Sequence, residues 1–558
     1  MPPVAGIRDR AKSFSDDELS FQVNMMTTTN LTPDAGDEYA AKLAGQGLPA
    51  LPPAPARDRG VGPFNRLVLR GATIIDGTGA PPWGPVDIVI ENNIIKALVP
   101  VGVPRHGITA TNRPACGDLD IDCTGKFVTP GFVDCHAHIG WPAHAAVGAH
   151  PRADYIYKLW LAHGVTTVRE MGSINGLTWS LSERERAANH EICAPRIQVH
   201  GYFPAVNDML KTIHTTDEAR VWTRRIAERG ADGIKFFGGA PALVRAAIEE
   251  ANSLGLRTGC HHAQQAVGKA NALTTARWGL TSAEHFYGLP EALFDDRSLQ
   301  AYPADYTYSD EYMRFSEAGH GFQLAAKPGS DKWNSVLESF LELDFTFVPT
   351  FGIYDANRDL MRARRADWHD SYTWPGLWEF FQPNRGGHGA HWYRWSTADE
   401  VRWKENYRLW MAFINAYKNR GGRVVAGSDS GFIFQTYGFG FVRELEMLQE
   451  AGFNPLEVLR AATTHGADLL GLGDKIGIVD IGFQADLLIH TQNPLADFKA
   501  IYGTGAMRLN DDTNSVSWVR SLETTICDGV VYDTAELLSD VATMVSTEKS
   551  RLAEVSAQ

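Results

Sequence analysis

The sequence predicts an α/β fold, a (β/α)8 TIM barrel with a small β-sandwich domain built from the N- and C-terminal flanks. Three observations predict it. The middle of the chain alternates eight short apolar runs with helical patterns, as βα units around a parallel sheet do. Both flanks carry short β-branched runs separated by Gly, Asn or Pro. Polar side chains stand at the C-terminal ends of several of the eight runs, the face at which barrel sites form.

The eight candidate strands are GFVDCHAHI, GVTTVRE, RIQVHG, DGIKFF, LRTGCHH, LTSAEHF, FTFVPT and GRVVAGSD. Helical patterns fit between them: SLSERERAANHE after the second, TTDEARVWTRRIAERG after the third and ALVRAAIEEANSLG after the fourth. In the flanks, RLVLRGATIIDG, VDIVIENNIIKALV and DLDIDCTGKFV match the texture of GIVDIGFQADLLIH and SLETTICDGVVYD. The expected division is therefore an arm or linker over 1–62, polar and Pro/Ala-rich, then a composite β-domain from 63–129 plus 473–540, and the barrel over 130–472. Two long insertions interrupt the barrel, at about 286–343 and 351–422. The second holds Trp368, Trp374, Trp378, Trp392, Trp395, Trp403 and Trp410, seven of the chain's fifteen tryptophans. Rings of that size need burial, so the segment reads as a lid, a pocket wall or a subunit interface.

Composition narrows the function. With 558 residues and 44% hydrophobic content the chain can bury a large core. A formal net charge of -14 and no long Lys/Arg run exclude a nucleic-acid backbone as the expected partner. No apolar run approaches the ~18 residues of a membrane helix, and MPPVAGIRDRAKSFSDDELS lacks the apolar region of a signal peptide. Six scattered cysteines without a C-x-x-C pair read as reduced thiols. A cytoplasmic enzyme acting on a small molecule is expected, with a homo-oligomer as the expected assembly.

The site residues follow from the strand ends. His136 and His138 close the first strand as H-A-H, and residues two apart share a face. Lys235 ends the fourth strand, His262 the fifth, His285 the sixth and Asp429 the eighth. One H-x-H alone is a weak signal and favours hydrogen-bonded structural histidines. Metal-type residues at several independent strand ends make a metal site the better reading.

On GATIIDGTGAPP, GKFVTPGFVDCHAHI, GVTTVRE, GADGIKFF, SAEHF, VVAGSDS and QADLLIHTQNPL, spread over about residues 65–500, the chain resembles the amidohydrolase superfamily. Within it the resemblance is to the binuclear, prolidase-like and imidazolonepropionase-like branches. It implies two divalent metal ions, zinc by default. His136 and His138 match the first metal pair, Lys235 the carboxylated lysine bridging both metals, His262 and His285 the ligands of the second. Asp429 matches the aspartate that binds metal and serves as general base. An ammonium cannot ligate a metal, but a neutral buried amine can add carbon dioxide and become an anionic carbamate. His261 and His262 are adjacent, so only one can face the mouth; the family pattern of His followed by Ala favours His262.

Arg169, Glu170, His200, Tyr202, Tyr287 and Tyr354 follow strand ends and are candidate substrate contacts, with packing or capping as the alternative. The relatives' Gly-Gly-His-Gly loop after the third strand is absent here, where VHGYFPAV stands. His144, His150, His163 and His465 read as structural. The expected reaction is hydrolysis of an amide-type C–N bond, in a dipeptide, an N-acyl amino acid or a related carboxamide, with an aromatic or apolar group suggested by the tryptophans. The alternatives are a mononuclear deaminase or cyclic-amide hydrolase, and an esterase, lactonase or carbamate hydrolase on the same fold. A non-enzymatic scaffold is disfavoured because every expected ligand is present.

Overall fold

The computed structural model describes residues 34–103, 106–109, 111, 113–147, 150–206, 210–211, 213–385 and 387–557. Residues 1–33 of the expected leading arm lie outside the described residues. The elements of the fold belong to the unit Ala35–Gln558.

The two flanks of the chain meet in one mixed sheet. Its order is Val530–Asp533, Leu522–Cys527, Leu487–His490, Phe127–Pro130, Arg66–Ile74, Trp83–Glu91 and Ile94–Pro100, with Leu119–Asp122 also pairing Arg66–Ile74. The join is antiparallel, with Val128 opposite Ile489 and Pro130 opposite Leu487. Leu69, Ile74, Ile88, Val128, Leu487, Ile489 and Ile526 form one apolar cluster from both flanks, so neither flank buries its strands without the other.

All eight expected barrel strands form, in the expected order. They are Phe132–Ala137, Val165–Gly172, Arg196–Tyr202, Gly233–Phe236, Arg257–His261, Ser282–Glu284, Thr346–Val348 and Arg423–Val424, all neighbours parallel. The sheet curls until its edges meet. Cys135 N–H donates to Ala426 O at 3.0 Å and Asp429 N–H to His136 O at 2.8 Å. Asp134 reinforces the seam by accepting from the Ser428 amide at 2.9 Å and hydroxyl at 2.6 Å. Gly427 permits the approach, since a Cβ there would stand 2.9 Å from His136 Cβ and 2.7 Å from Val348 Cγ1.

The helices expected after the second, third and fourth strands are Leu177–Ala188, Thr216–Glu228 and Pro241–Ser253. Thr215 and Glu218 form a capping box at the start of the second of these, which satisfies two otherwise orphaned amides. The connection after the sixth strand carries helices Leu289–Ala292, Glu311–Ala318 and Asp331–Glu342. The tryptophan-rich connection ends in the 23-residue helix Thr397–Asn419, which presents Trp403 and Trp410, both fully buried.

Described residues before the first strand pack against the barrel. Helix Glu38–Gly45 packs Tyr39 against Tyr202, ring centroids 5.2 Å apart. Leu51 is 2% exposed, its amide bonded to Asn175 Oδ1 at 3.1 Å. All six cysteines are unbridged. Among the described residues no helix is long and apolar enough to cross a membrane.

Candidate metal centre and pocket

Four strand ends converge on one cluster. His136, His138 and Asp429 each offer a ligand atom, all within 4.8 Å of one another. Asp429 Oδ1 lies 3.3 Å from His138 Nε2 and 3.7 Å from His136 Nε2, and Oδ2 lies 3.7 Å from His285 Nε2. Lys235 Nζ approaches His136 Nε2 at 3.3 Å. The backbone is bent to achieve this: His285 and Asp429 have φ of +64° and +50°, a left-handed conformation that costs a non-glycine residue about 1–3 kcal/mol.

The nitrogens are oriented from behind. Glu284 Oε2 accepts from His136 Nδ1 at 2.7 Å, and Thr350 Oγ1 lies 2.6 Å from His285 Nδ1. Each contact leaves Nε2 facing the cluster, the arrangement that fixes tautomer and ring angle in metal-binding histidines. Burial holds His136 well below the ordinary histidine range, helped by the Lys235 charge, and takes His285 down to about 4; both rings are therefore neutral donors. Burial would raise the Asp429 carboxyl; His136, when charged, and a hydrogen bond from His138 lower it. Burial also lowers the Lys235 ammonium, against the pull of Glu284 and Asp429. Two neutral imidazoles, a carboxylate and an amine shifted toward its neutral form suit a divalent ion such as zinc.

The fifth strand corrects the reading of its two histidines. His261, not His262, faces the cluster: its ring lies 4.7 Å from that of His285 and stacks on Phe237 at 4.1 Å. His262 turns away and bonds Thr275 Oγ1 at 2.8 Å. The pleat sets Gly259 and His261 on the inner face, so the following residue points out.

A cavity of about 390 Å³ opens over the cluster, lined by His136, His138, Lys235, His261, His285 and Asp429 and walled by Tyr39, Trp141, Tyr202, Tyr308, Tyr354 and Phe432. Of the proposed substrate contacts, Tyr202 and Tyr354 line it. Tyr287 stands beside it, 5.0 Å from the His261 ring. Arg169 and His200 do not reach it. Arg169 is fully buried and spans the barrel interior to the Cys135 carbonyl, to Ser282 Oγ at 3.0 Å and to both Glu284 oxygens at 2.9 Å. His200 is buried against Gly233, where a Cβ would meet its Nε2 at 2.3 Å. Glu170 accepts from the Ile139 amide at 2.7 Å, and burial pushes its carboxyl up to about 7.

None of the seven clustered tryptophans lines this cavity. Two of them stand behind its wall: Trp403 stacks on Tyr354 at 5.4 Å, and Trp410 packs on Phe286 at 4.9 Å. A larger cavity of about 760 Å³ lies against Arg184, Arg196 and His190. Its charges are already paired, Arg184 to Asp232 at 2.9 Å and His190 to Asp528 at 2.9 Å, and it contains none of the strand-end ligands. The strand-end cluster lines the smaller one.

Sequence reasoning missed Glu284, Thr350, Arg314, Tyr39 and Trp141. Only Glu284 left a signal, standing immediately before His285 in SAEHF.

The model of the amidohydrolase family matches residues 408–531. Over 84% of its length the chain superposes on the whole of a Xaa-Pro dipeptidase with methionine bound in its active site, TM-score 0.55 at 18% identity. Over 93% it superposes on 94% of bottromycin amidohydrolase, TM-score 0.59 at 19% identity. The chain has the amidohydrolase fold. A putative prolidase from Bifidobacterium longum shares this amidohydrolase fold as well, TM-score 0.54 at 20% identity, with 86% of this chain and 99% of that one covered. Two curated proteins match in sequence over short stretches. A dihydroorotase of Thermoanaerobacter sp. (strain X514) is 36% identical over 77 residues, 14% of this chain and 15% of that one. An adenine deaminase of Bacillus pumilus (strain SAFR-032) is 28% identical over 135 residues, 22% and 19%. The matched part thus spans under a fifth of either relative.

Proposed function

We propose that the chain is a binuclear metal-dependent hydrolase that cleaves an amide-type C–N bond in a small molecule: a dipeptide, an N-acyl amino acid or a related carboxamide. The observation that carries this reading is the convergence of His136, His138, His285, Lys235 and Asp429 at the C-terminal ends of the parallel strands. His136, His138 and Asp429 would hold one ion, and His261 and His285 the second. Lys235 would serve both: its neutral Nζ would bond to the carbon of carbon dioxide and release a proton, leaving a carbamate whose single negative charge is shared by two oxygens. Divalent ions held there polarise a carbonyl oxygen and make water a stronger acid.

The chain's own groups do the rest. Asp429 takes a proton from the attacking water and returns it to the leaving nitrogen; its two oxygens stand beside His138 and His285 at the centre of the cluster. Glu284 holds His136 in register, and the aromatic wall shields the site from bulk water. The composite sheet and the curled parallel sheet form the two parts of this architecture, 63–129 plus 473–540 and 130–472.

The short matches to a dihydroorotase and an adenine deaminase favour one alternative, a mononuclear deaminase or cyclic-amide hydrolase. Metal analysis of the purified chain separates the two. Two ions per chain, with occupancy rising on added bicarbonate, together with turnover in a panel of dipeptides and N-acyl amino acids, is the expected result. One ion and no response to bicarbonate overturns the binuclear reading.

A further inference from the structure

Arg314 is a charged side chain without adequate pairing at the edge of the pocket. It sits on helix Glu311–Ala318, in the long connection after the sixth strand, and is 5% exposed. A charge buried so far needs a partner and hydrogen bonds. Its one anionic partner among the described residues is Glu311, with Nη1 at 3.5 Å from Oε1. Glu311 is spent elsewhere: Oε1 takes His388 Nδ1, and Oε2 takes the Gly389 amide at 2.5 Å. Arg314 Nε has no partner at all, and neither has the Tyr308 hydroxyl beside it.

The plane of the guanidinium is nevertheless set. It lies 4.6 Å from the Tyr308 ring centroid and 5.0 Å from that of Phe315, contacts that attract a cation and restrain the fork. Arg314 and Tyr308 line the same cavity as Lys235, His261 and Asp429. A flat fork with spare N–H groups, held by rings and backed by a hydroxyl donor, is matched by a carboxylate that accepts two parallel hydrogen bonds.

We propose that Arg314 and Tyr308 form a carboxylate subsite of this pocket, so that the substrate is an amide carrying a free carboxylate, such as an N-acyl amino acid or a dipeptide with a free C-terminus. This rests on the proposed hydrolase activity. It restricts the enzyme to terminal bonds: an internal peptide bond offers an amide where the subsite needs an anion.

The test is binding, which needs no turnover. L-phenylalanine, L-leucine and L-proline are titrated calorimetrically into the zinc-loaded full chain, beside the matching amino alcohols, which keep the side chain and amine and lose the charge. At least one acid should bind about tenfold or more tightly than its alcohol, the worth of one charged hydrogen-bond pair. Arg314→Met should bring the two to near equality, with Arg314→Lys between. Tyr308→Phe should narrow the gap by a smaller factor, and it serves should Arg314→Met fail to fold. No acid preference in the native chain, or a preference retained in folded Arg314→Met, overturns the proposal. Acid preference without cleavage of any amide would sink the hydrolase reading and leave the subsite; cleavage without acid preference would do the reverse.

Discussion

Glu284 Oε2 lies 2.7 Å from His136 Nδ1, and the same carboxylate receives two hydrogen bonds from Arg169. A fully buried ion pair therefore aims a proposed ligand histidine. Glu284→Gln should loosen that aim and lower metal affinity by roughly 10- to 100-fold, read by competition with a chelator. It also leaves Arg169 facing a neutral group, at a cost on the order of 3 kcal/mol in denaturant unfolding.

The two histidines of the fifth strand should behave oppositely. His261→Ala removes a proposed ligand and should cost at least the roughly 10- to 100-fold in metal affinity expected for a supporting residue. His262→Ala removes the partner of Thr275 from a packed interior and should cost about 2–4 kcal/mol of stability while metal content per folded chain is kept. Metal analysis and denaturation on both variants check the contrast; equal metal loss would contradict the assignment.

Glu444 should make stability pH-dependent. It is fully buried, with Oε2 accepting from the Gly352 amide at 2.7 Å, and burial pushes its carboxyl up to about 8. The unfolded chain releases this proton near pH 4. Between those values the folded state holds one proton more, so this group's contribution falls as pH rises from about 4 to about 8, then levels. Glu444→Gln should remove that slope, leaving stability similar near pH 5 and higher at pH 8 by on the order of 4 kcal/mol. Urea unfolding at both pH values measures it, and an unchanged slope would refute it.

Tyr39 should matter to substrate choice. It stacks on Tyr202 and lines the cavity. Tyr39→Ala should cost about 1 kcal/mol of stability and redistribute kcat/KM across an amide panel, with metal content unchanged.

The strands and most of the proposed ligands were legible because apolar runs bounded by Gly place strand ends, and the pleat then assigns faces. Legibility ended where that rule is silent. His261 and His262 both close the fifth run, and only the three-dimensional register decides which points inward. Arg169 stands at a strand end like a site residue, yet its long side chain reaches back across the interior to Glu284. The tryptophans announced burial, but composition carries no direction, and Trp403 sits behind Tyr354 rather than in front of it. Tyr39 lies in a polar stretch with no periodicity to mark it.

The composite sheet has a consequence for synthesis. Thr129 Oγ1 and His490 Nε2 are 3.2 Å apart although 361 residues separate them in the chain. At about 5–20 residues per second, a ribosome needs roughly 20–70 s to supply the second after the first. For that interval Phe127–Pro130 has an open edge and an uncovered apolar face, the kind of edge on which another polypeptide can pair.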